Sequence, residues 1–240
     1  MLGVQDDFCI QLRWVNYFLW GALPELRSLD HIKHLLEEAP SMPLRKDLAI
    51  ISQWITPGSR VLDLGCGDGT LLTYLRDRSS VKGYGLEIDN RHITRCVATG
   101  LNVIQGNLDE GLSSFETDSF DYVIMTQTLQ AVRSPERLVL EMLRIGREGI
   151  VTFPNFGHWS ARMHLVLRGR MPISKALPYQ WYDTQNIHLC TVKDFEQLCR
   201  QNTIRILQRT VVDVAHNENL LTRLFPNLFG EIAIHRLRKS

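Results

Sequence analysis

Three glycines and two acids carry the chemistry that this chain can do. In RVLDLGCGDGT, residues 60–70, Gly65, Gly67 and Gly69 follow Asp63, and Glu87 follows in GYGLEID. Glycine takes positive φ at little cost and leaves the main chain open to close approach by a ligand. Free N–H groups at a helix start suit a carboxylate or a phosphate. A carboxylate at the end of the second strand accepts hydrogen bonds from two ribose hydroxyls. Glu87 lies 18 residues past Gly69, near the ~20 at which a ribose-binding acid stands. Together these residues make a nucleotide-binding corner.

Glycine spacing decides between ligands. A dinucleotide fingerprint needs glycines at relative positions 1, 3 and 6, whereas here they stand at 1, 3 and 5 behind Asp63. D-x-G-x-G-x-G resembles motif I of the class I S-adenosylmethionine (SAM) methyltransferases. The resemblance implies that the loop holds the methionine end of SAM and Glu87 its ribose. It implies that Asp63, sitting in the turn, anchors the loop or reaches the ligand amine. An acid that accepts from the adenine amino group is replaced in QGNLDEG by Asn107, with Asp109 two residues on. The Asn107 carbonyl can accept and its amide can donate. Thr126 and Gln127 close the fourth strand at the carboxyl edge, where ligands bind in open α/β sheets.

Short apolar runs alternating with helical patterns must position these groups, and the alternation indicates a mostly parallel sheet. Val61, Leu62 and Leu64 form strand 1, and a helix begins with Thr70, Leu71, Leu72 and Leu75. Leu48, Ile51 and Ile55 place a helix before strand 1. Further strands are expected at 81–88, 102–105, 120–125, 149–153, 204–213 and 231–237. Asp89 or Asn90 caps the helix after strand 2 and Gly100 ends it. Ser134-Pro135 opens another helix, Ser as cap and Pro in the first turn, running to Gly146. Thr191 with Asp194 forms a capping box. Between 154 and 190 the periodicity weakens, and Trp159, Tyr179, Trp181 and Tyr182 mix with Arg162, Arg168, Arg170 and Lys175. The expected fold is a seven-stranded, mostly parallel, doubly wound α/β sheet of the class I SAM-methyltransferase (Rossmann-like) type.

A chain of 240 residues with 44% hydrophobic and 22% charged content builds a packed core. A net charge of +1 gives no general pull toward nucleic acid or membrane. Five scattered cysteines without a C-x-x-C suit reduced thiols in a cytoplasm, not a disulfide frame or zinc site. The apolar stretch 8–23 is broken by Gln11, Arg13 and Asn16 and falls short of the ~20 residues that span a bilayer. It reads as a docking segment, core packing or a non-native extension. Two domains are expected: an N-terminal extension at 1–41, and a methyltransferase-like domain at 42–240 with a cap or partner segment at 154–190. His158, His164 and His188 are candidate bases. His31 and His34 sit one helical turn apart without completing a metal site.

From 43 to 237 the chain closely resembles the MetW family of methionine-biosynthesis proteins. GSRVLDLGCGDGTLL, SFDYVIMTQTLQAV, PNFGHW, GRMP and LPYQWYDTQNIHLCT carry that resemblance. It implies SAM or S-adenosylhomocysteine (SAH) on Asp63, Gly65, Cys66, Gly67, Gly69, Glu87, Ile88, Asn107, Leu108 and Thr126, with no metal. It implies an accessory or regulatory partner of the homoserine O-acyltransferase MetX; the charge and cysteine readings add a cytoplasmic protein that binds neither nucleic acid nor membrane. The alternatives are a SAM-dependent methyltransferase with a small-molecule acceptor under the 154–190 cap, and a ligand-free scaffold.

Overall fold

A computed structural model describes residues 44–174, 177–213 and 220–240. The expectations for 1–41, including the 8–23 segment, His31 and His34, lie outside these residues, as does Lys175. Element order is α1 (Lys46–Trp54), β1 (Arg60–Leu64), α2 (Thr70–Ser79), β2 (Lys82–Glu87), α3 (Asn90–Ala98), β3 (Asn102–Gln105), β4 (Phe120–Thr126), α4 (Pro135–Ile145), β5 (Gly146–Pro154), α5 (Trp159–Arg168), α6 (Val192–Gln201), β6 (Ile204–Val212), α7 (Leu220–Leu224), α8 (Pro226–Phe229) and β7 (Ile232–Lys239). Single 3-10 turns follow β3 (Leu108–Glu110) and β4 (Leu129–Ala131).

The seven strands form one sheet in the order β3-β2-β1-β4-β5-β7-β6. β1 to β5 pair in parallel, and β7 enters antiparallel between β5 and β6. Side chains alternate across a strand, so each central strand feeds two cores. Leu62, Leu64, Val123 and Met125 pack with Val139 and Met142 of α4 and Phe195 of α6. Val61, Ile124 and Ile150 pack on the other face with Ile51 of α1, Leu72 and Leu75 of α2 and Cys96 of α3. Burial on both faces explains why the central parallel strands read as apolar runs in place of an alternating pattern.

Several expected boundaries move. Strand 2 is shorter by a residue at each end, strand 6 ends one residue sooner, and strand 4 reaches Thr126. Strand 7 starts one residue later and runs to Lys239. Strand 5 starts at Gly146, not 149. Gly146 does end α4, but in an extended conformation at φ −117°. A Cβ there would meet Val123 at 2.5 Å, so glycine is present for close strand packing. Ser134 occupies the N-cap position without a side-chain bond, and Pro135 opens the helix alone. The Thr191–Asp194 capping box forms with both reciprocal bonds, Asp89 caps α3, and Gly100 follows it at φ +72°.

The 154–190 segment is less irregular than its periodicity implies, because it contains α5. Asn155 ties it down. Its Nδ2 donates to the carbonyls of Gly230 (2.7 Å) and Asn227 (3.2 Å), and its Oδ1 accepts from the N–H of Gly157 and Val192. One buried amide thus joins the end of β5 to the starts of α6 and β7. Asn155→Ala orphans those groups and is expected to lower unfolding stability by about 2–4 kcal/mol. A urea midpoint that falls at unchanged slope is the expected reading; an unmoved midpoint would show that the join lies elsewhere.

Candidate functional site

The glycine loop is built by main-chain bonds. The N–H groups of Gly65 and Cys66 both donate to the Leu86 carbonyl, at 2.8 and 3.3 Å, and Gly69 N–H donates to Cys66. Gly65, Gly67 and Gly69 have φ of 73°, 57° and 79°, where side chains with a Cβ are strained. Their surroundings differ. A Cβ on Gly65 would strike Thr128 Oγ1 at 2.7 Å and one on Gly69 would strike Leu101 at 2.3 Å, but one on Gly67 would meet no atom within 4 Å. The loop therefore packs on the protein through two glycines and turns the third to open space.

Glu87 closes that space. It is buried, and its Oε2 accepts the Gly67 N–H at 2.8 Å while its Oε1 accepts from Ile88 and Asp89 at 2.8 and 3.0 Å. His92 Nδ1 stands 3.9 Å from Oε2. Ile88 beside it is 61% exposed, and Ile104 across β3 is also exposed.

Asp63 corrects an expectation. It lies within β1, not in the turn, and it does not anchor the loop by accepting N–H groups. Its side chain is fully buried and Oδ1 has no hydrogen-bond partner. Burial, and then the Glu87 charge, push its carboxyl up to about 7. An unpaired buried carboxylate is costly, and it stands at the carboxyl edge of the sheet beside an open glycine loop. A cationic group entering there would satisfy it.

Other expected residues take less direct positions. The helix start is not an open anion site, because Asp68 Oδ1 already accepts from Thr70 N–H and Oγ1. Cys66 packs its sulfur against Gly85, burial raises its thiol pKa, and the thiol donates to the Gly67 carbonyl. Asn107 Oδ1 caps the 3-10 turn through Asp109 N–H at 3.0 Å, and Leu108 packs against the core. The Thr126 carbonyl accepts from Thr128 Oγ1.

Two residues of the turn after β4 gave no sequence signal beyond Gln127 closing that strand. Gln127 has φ +52° and donates its N–H to Thr152. Gln130 is buried, donates Nε2 to the Gln127 carbonyl at 2.8 Å, and leaves Oε1 unpaired. Of the candidate bases, His158 caps α5 through Ser160, and burial lowers its pKa. His188 holds the cap to this turn, its N–H on the Gln130 carbonyl and Nε2 3.3 Å from the Arg133 carbonyl. Among the described residues no three of His, Cys, Asp and Glu gather in a metal-binding group, and no helix is long and apolar enough to cross a membrane.

The Asp63 shift makes stability pH-dependent. Its folded pKa lies above the ordinary 3.8, so its contribution is complete below about pH 4 and declines as pH rises to about 7. Each pKa unit corresponds to about 1.4 kcal/mol. Asp63→Asn is expected to raise the melting temperature of the ligand-free protein at about pH 8 and leave it nearly unchanged at about pH 4. A variant less stable than wild type at the higher pH would contradict an uncompensated carboxylate.

Comparison with known proteins agrees with this geometry. Residues 45–237 match the family described as "Methionine biosynthesis protein MetW". The "Bifunctional methionine biosynthesis protein MetXA/MetW" of Rhodopirellula baltica is 36% identical over 216 residues, which cover 83% of this chain and 35% of that protein. The chain thus spans about a third of the length of that relative. A SAM-dependent methyltransferase from Mesorhizobium loti has the same fold, with a TM-score of 0.60 at 16% identity over 81% of this chain and 98% of that one. The magnesium protoporphyrin IX methyltransferase of Synechocystis, solved with bound SAH, gives 0.57 at 15% identity over 81% and 83%. The sheet is that of the class I SAM methyltransferases, and the chain belongs to the MetW family of methionine-biosynthesis proteins.

Proposed function

We propose that this chain binds SAM or SAH in the open space beside Gly67 and serves as an accessory or regulatory partner of a homoserine O-acyltransferase of the MetX kind. The observation that carries the ligand is the pair of buried acids on either side of the loop. Asp63 lacks a partner that an α-ammonium would supply, and Glu87 already points at the loop with acceptor capacity left for ribose hydroxyls. The partner reading is supported by the relative whose name joins MetXA and MetW in one protein. The groups at the end of β4 favour an accessory role over methyl transfer. Thr126, Gln127, Thr128 and Gln130 are neutral hydroxyls and amides, none of them a base. Unpaired thiols at Cys66, Cys96, Cys190 and Cys199 suit the cytoplasm as its place.

The partner surface in this reading is the cap at 154–190. Val166, Leu167, Trp181 and Tyr182 are exposed there, and clustered apolar and aromatic side chains mark protein interfaces. Arg162 is spent on the Gly157 carbonyl at 2.6 Å, which leaves Arg168 and Arg170 as the basic rim. A methyltransferase with a small acceptor under the cap is the second reading, and the shared fold with the SAH-bound neighbour supports it.

Calorimetry with SAH tests the ligand. Glu87→Ala removes a charged acceptor and is expected to weaken binding by about 1.5–3 kcal/mol, roughly 10- to 150-fold. Gly67→Val strains φ and fills the open side, so it should abolish binding; a wild type that binds no SAH ends the proposal. Pull-down tests the partner. Arg168→Glu with Arg170→Glu should release the acyltransferase while SAH affinity holds, and undiminished capture would move the interface elsewhere. SAM turnover by the purified chain would favour the second reading.

A further inference from the structure

A separate small cavity lies at the carboxyl end of β5. It is a cavity of about 90 Å³, lined by Pro154, His158, Ala161, His164, Ile173 and Glu231 among others, and no residue of the glycine loop lines it. At ~10–15 Å³ for each water-sized sphere, it has room for roughly six to nine non-hydrogen atoms, the size of a small amino acid.

The cavity wall holds a donor without an acceptor. His158 is 7% exposed. Its Nδ1 accepts the backbone N–H of Ser160 at 3.4 Å and lies 2.7 Å from Ser160 Oγ. A backbone nitrogen only donates, so Nδ1 carries no hydrogen. Burial favours the neutral ring, and a neutral imidazole must then hold its proton on Nε2. That N–H has no hydrogen-bond partner among the described residues. Glu231 brings the opposite polarity, because a carboxylate with several lone pairs accepts further hydrogens beyond any partner it has. Pro154, Ala161 and Ile173 supply apolar wall between them.

We propose that this cavity binds a free amino acid or a zwitterion of that size, its carboxylate taking the His158 Nε2–H and its ammonium turned to Glu231. The site is separate from the nucleoside groove and does not rest on that reading.

Saturation-transfer NMR on the full chain tests it, with L-serine and L-homoserine against serinol, which replaces the carboxylate by a hydroxymethyl. Both amino acids are expected to bind, with serinol roughly tenfold or more weaker. His158→Asn keeps an N-capping oxygen but removes the Nε2–H, and Ala161→Leu fills the space. Both should lose amino-acid binding while melting cooperatively by circular dichroism. No signal from either amino acid in the wild type would leave a water-filled cavity and overturn the proposal. Serinol binding equal to serine, or binding that survives Ala161→Leu, would overturn it too.

Discussion

Two carboxylates buried at the ends of neighbouring strands, one compensated and one not, govern this molecule. Glu87 has its hydrogen bonds met in place by three backbone N–H groups, one of them from Gly67. That bond adds to the main-chain bonds that build the glycine loop, and the loop needs glycine at φ values other residues avoid. Asp63 receives no such help at Oδ1 and feels the Glu87 charge besides. Folding alone gains nothing from such a group, which a hydrophobic side chain would replace at a benefit. In the proposed function, its presence beside an open loop is accounted for by a cation that arrives from outside.

The loop connects to the segment proposed to meet the partner through the turn after β4. Gly65 packs on Thr128 so closely that a Cβ would collide. Thr128 leads into the turn holding Gln130, whose carbonyl accepts the His188 N–H of the cap. Asn155 fixes the other end of that cap to β7 and α6. A ligand that favours one position of the Thr128 turn thereby biases the cap by its differential binding free energy. This short chain of contacts is the route by which nucleoside occupancy would be felt at the Arg168 and Arg170 rim.

Much of this was legible in the sequence. Hydrophobic periodicity placed all seven strands, since the central ones are buried runs bounded by turn residues, and errors were confined to ends, as where extended glycine or a closing threonine continues a strand. Glycine spacing with Glu87 located the loop, because φ requirements and acceptor geometry are written in residue type. The role of Asp63 was less legible. Its type was plain, but only the fold shows it inside β1 without a hydrogen-bond donor. Asn155 and Gln130 act through partners distant in sequence, Gly230 and His188, and no local pattern marks them. The cap was read as irregular because α5 exposes much of its apolar surface, which erases the periodicity that a buried helix leaves.

The central claim, that Asp63 is held uncompensated for a cationic ligand group, is tested most directly by the affinity for SAH across about pH 5 to 8. Ionised Asp63 binds an ammonium and the protonated acid does not. Affinity is therefore expected to rise roughly tenfold per pH unit up to about pH 7 and then level off, with the slope absent in Asp63→Asn. A wild-type affinity independent of pH, or the same slope in Asp63→Asn, would contradict the account.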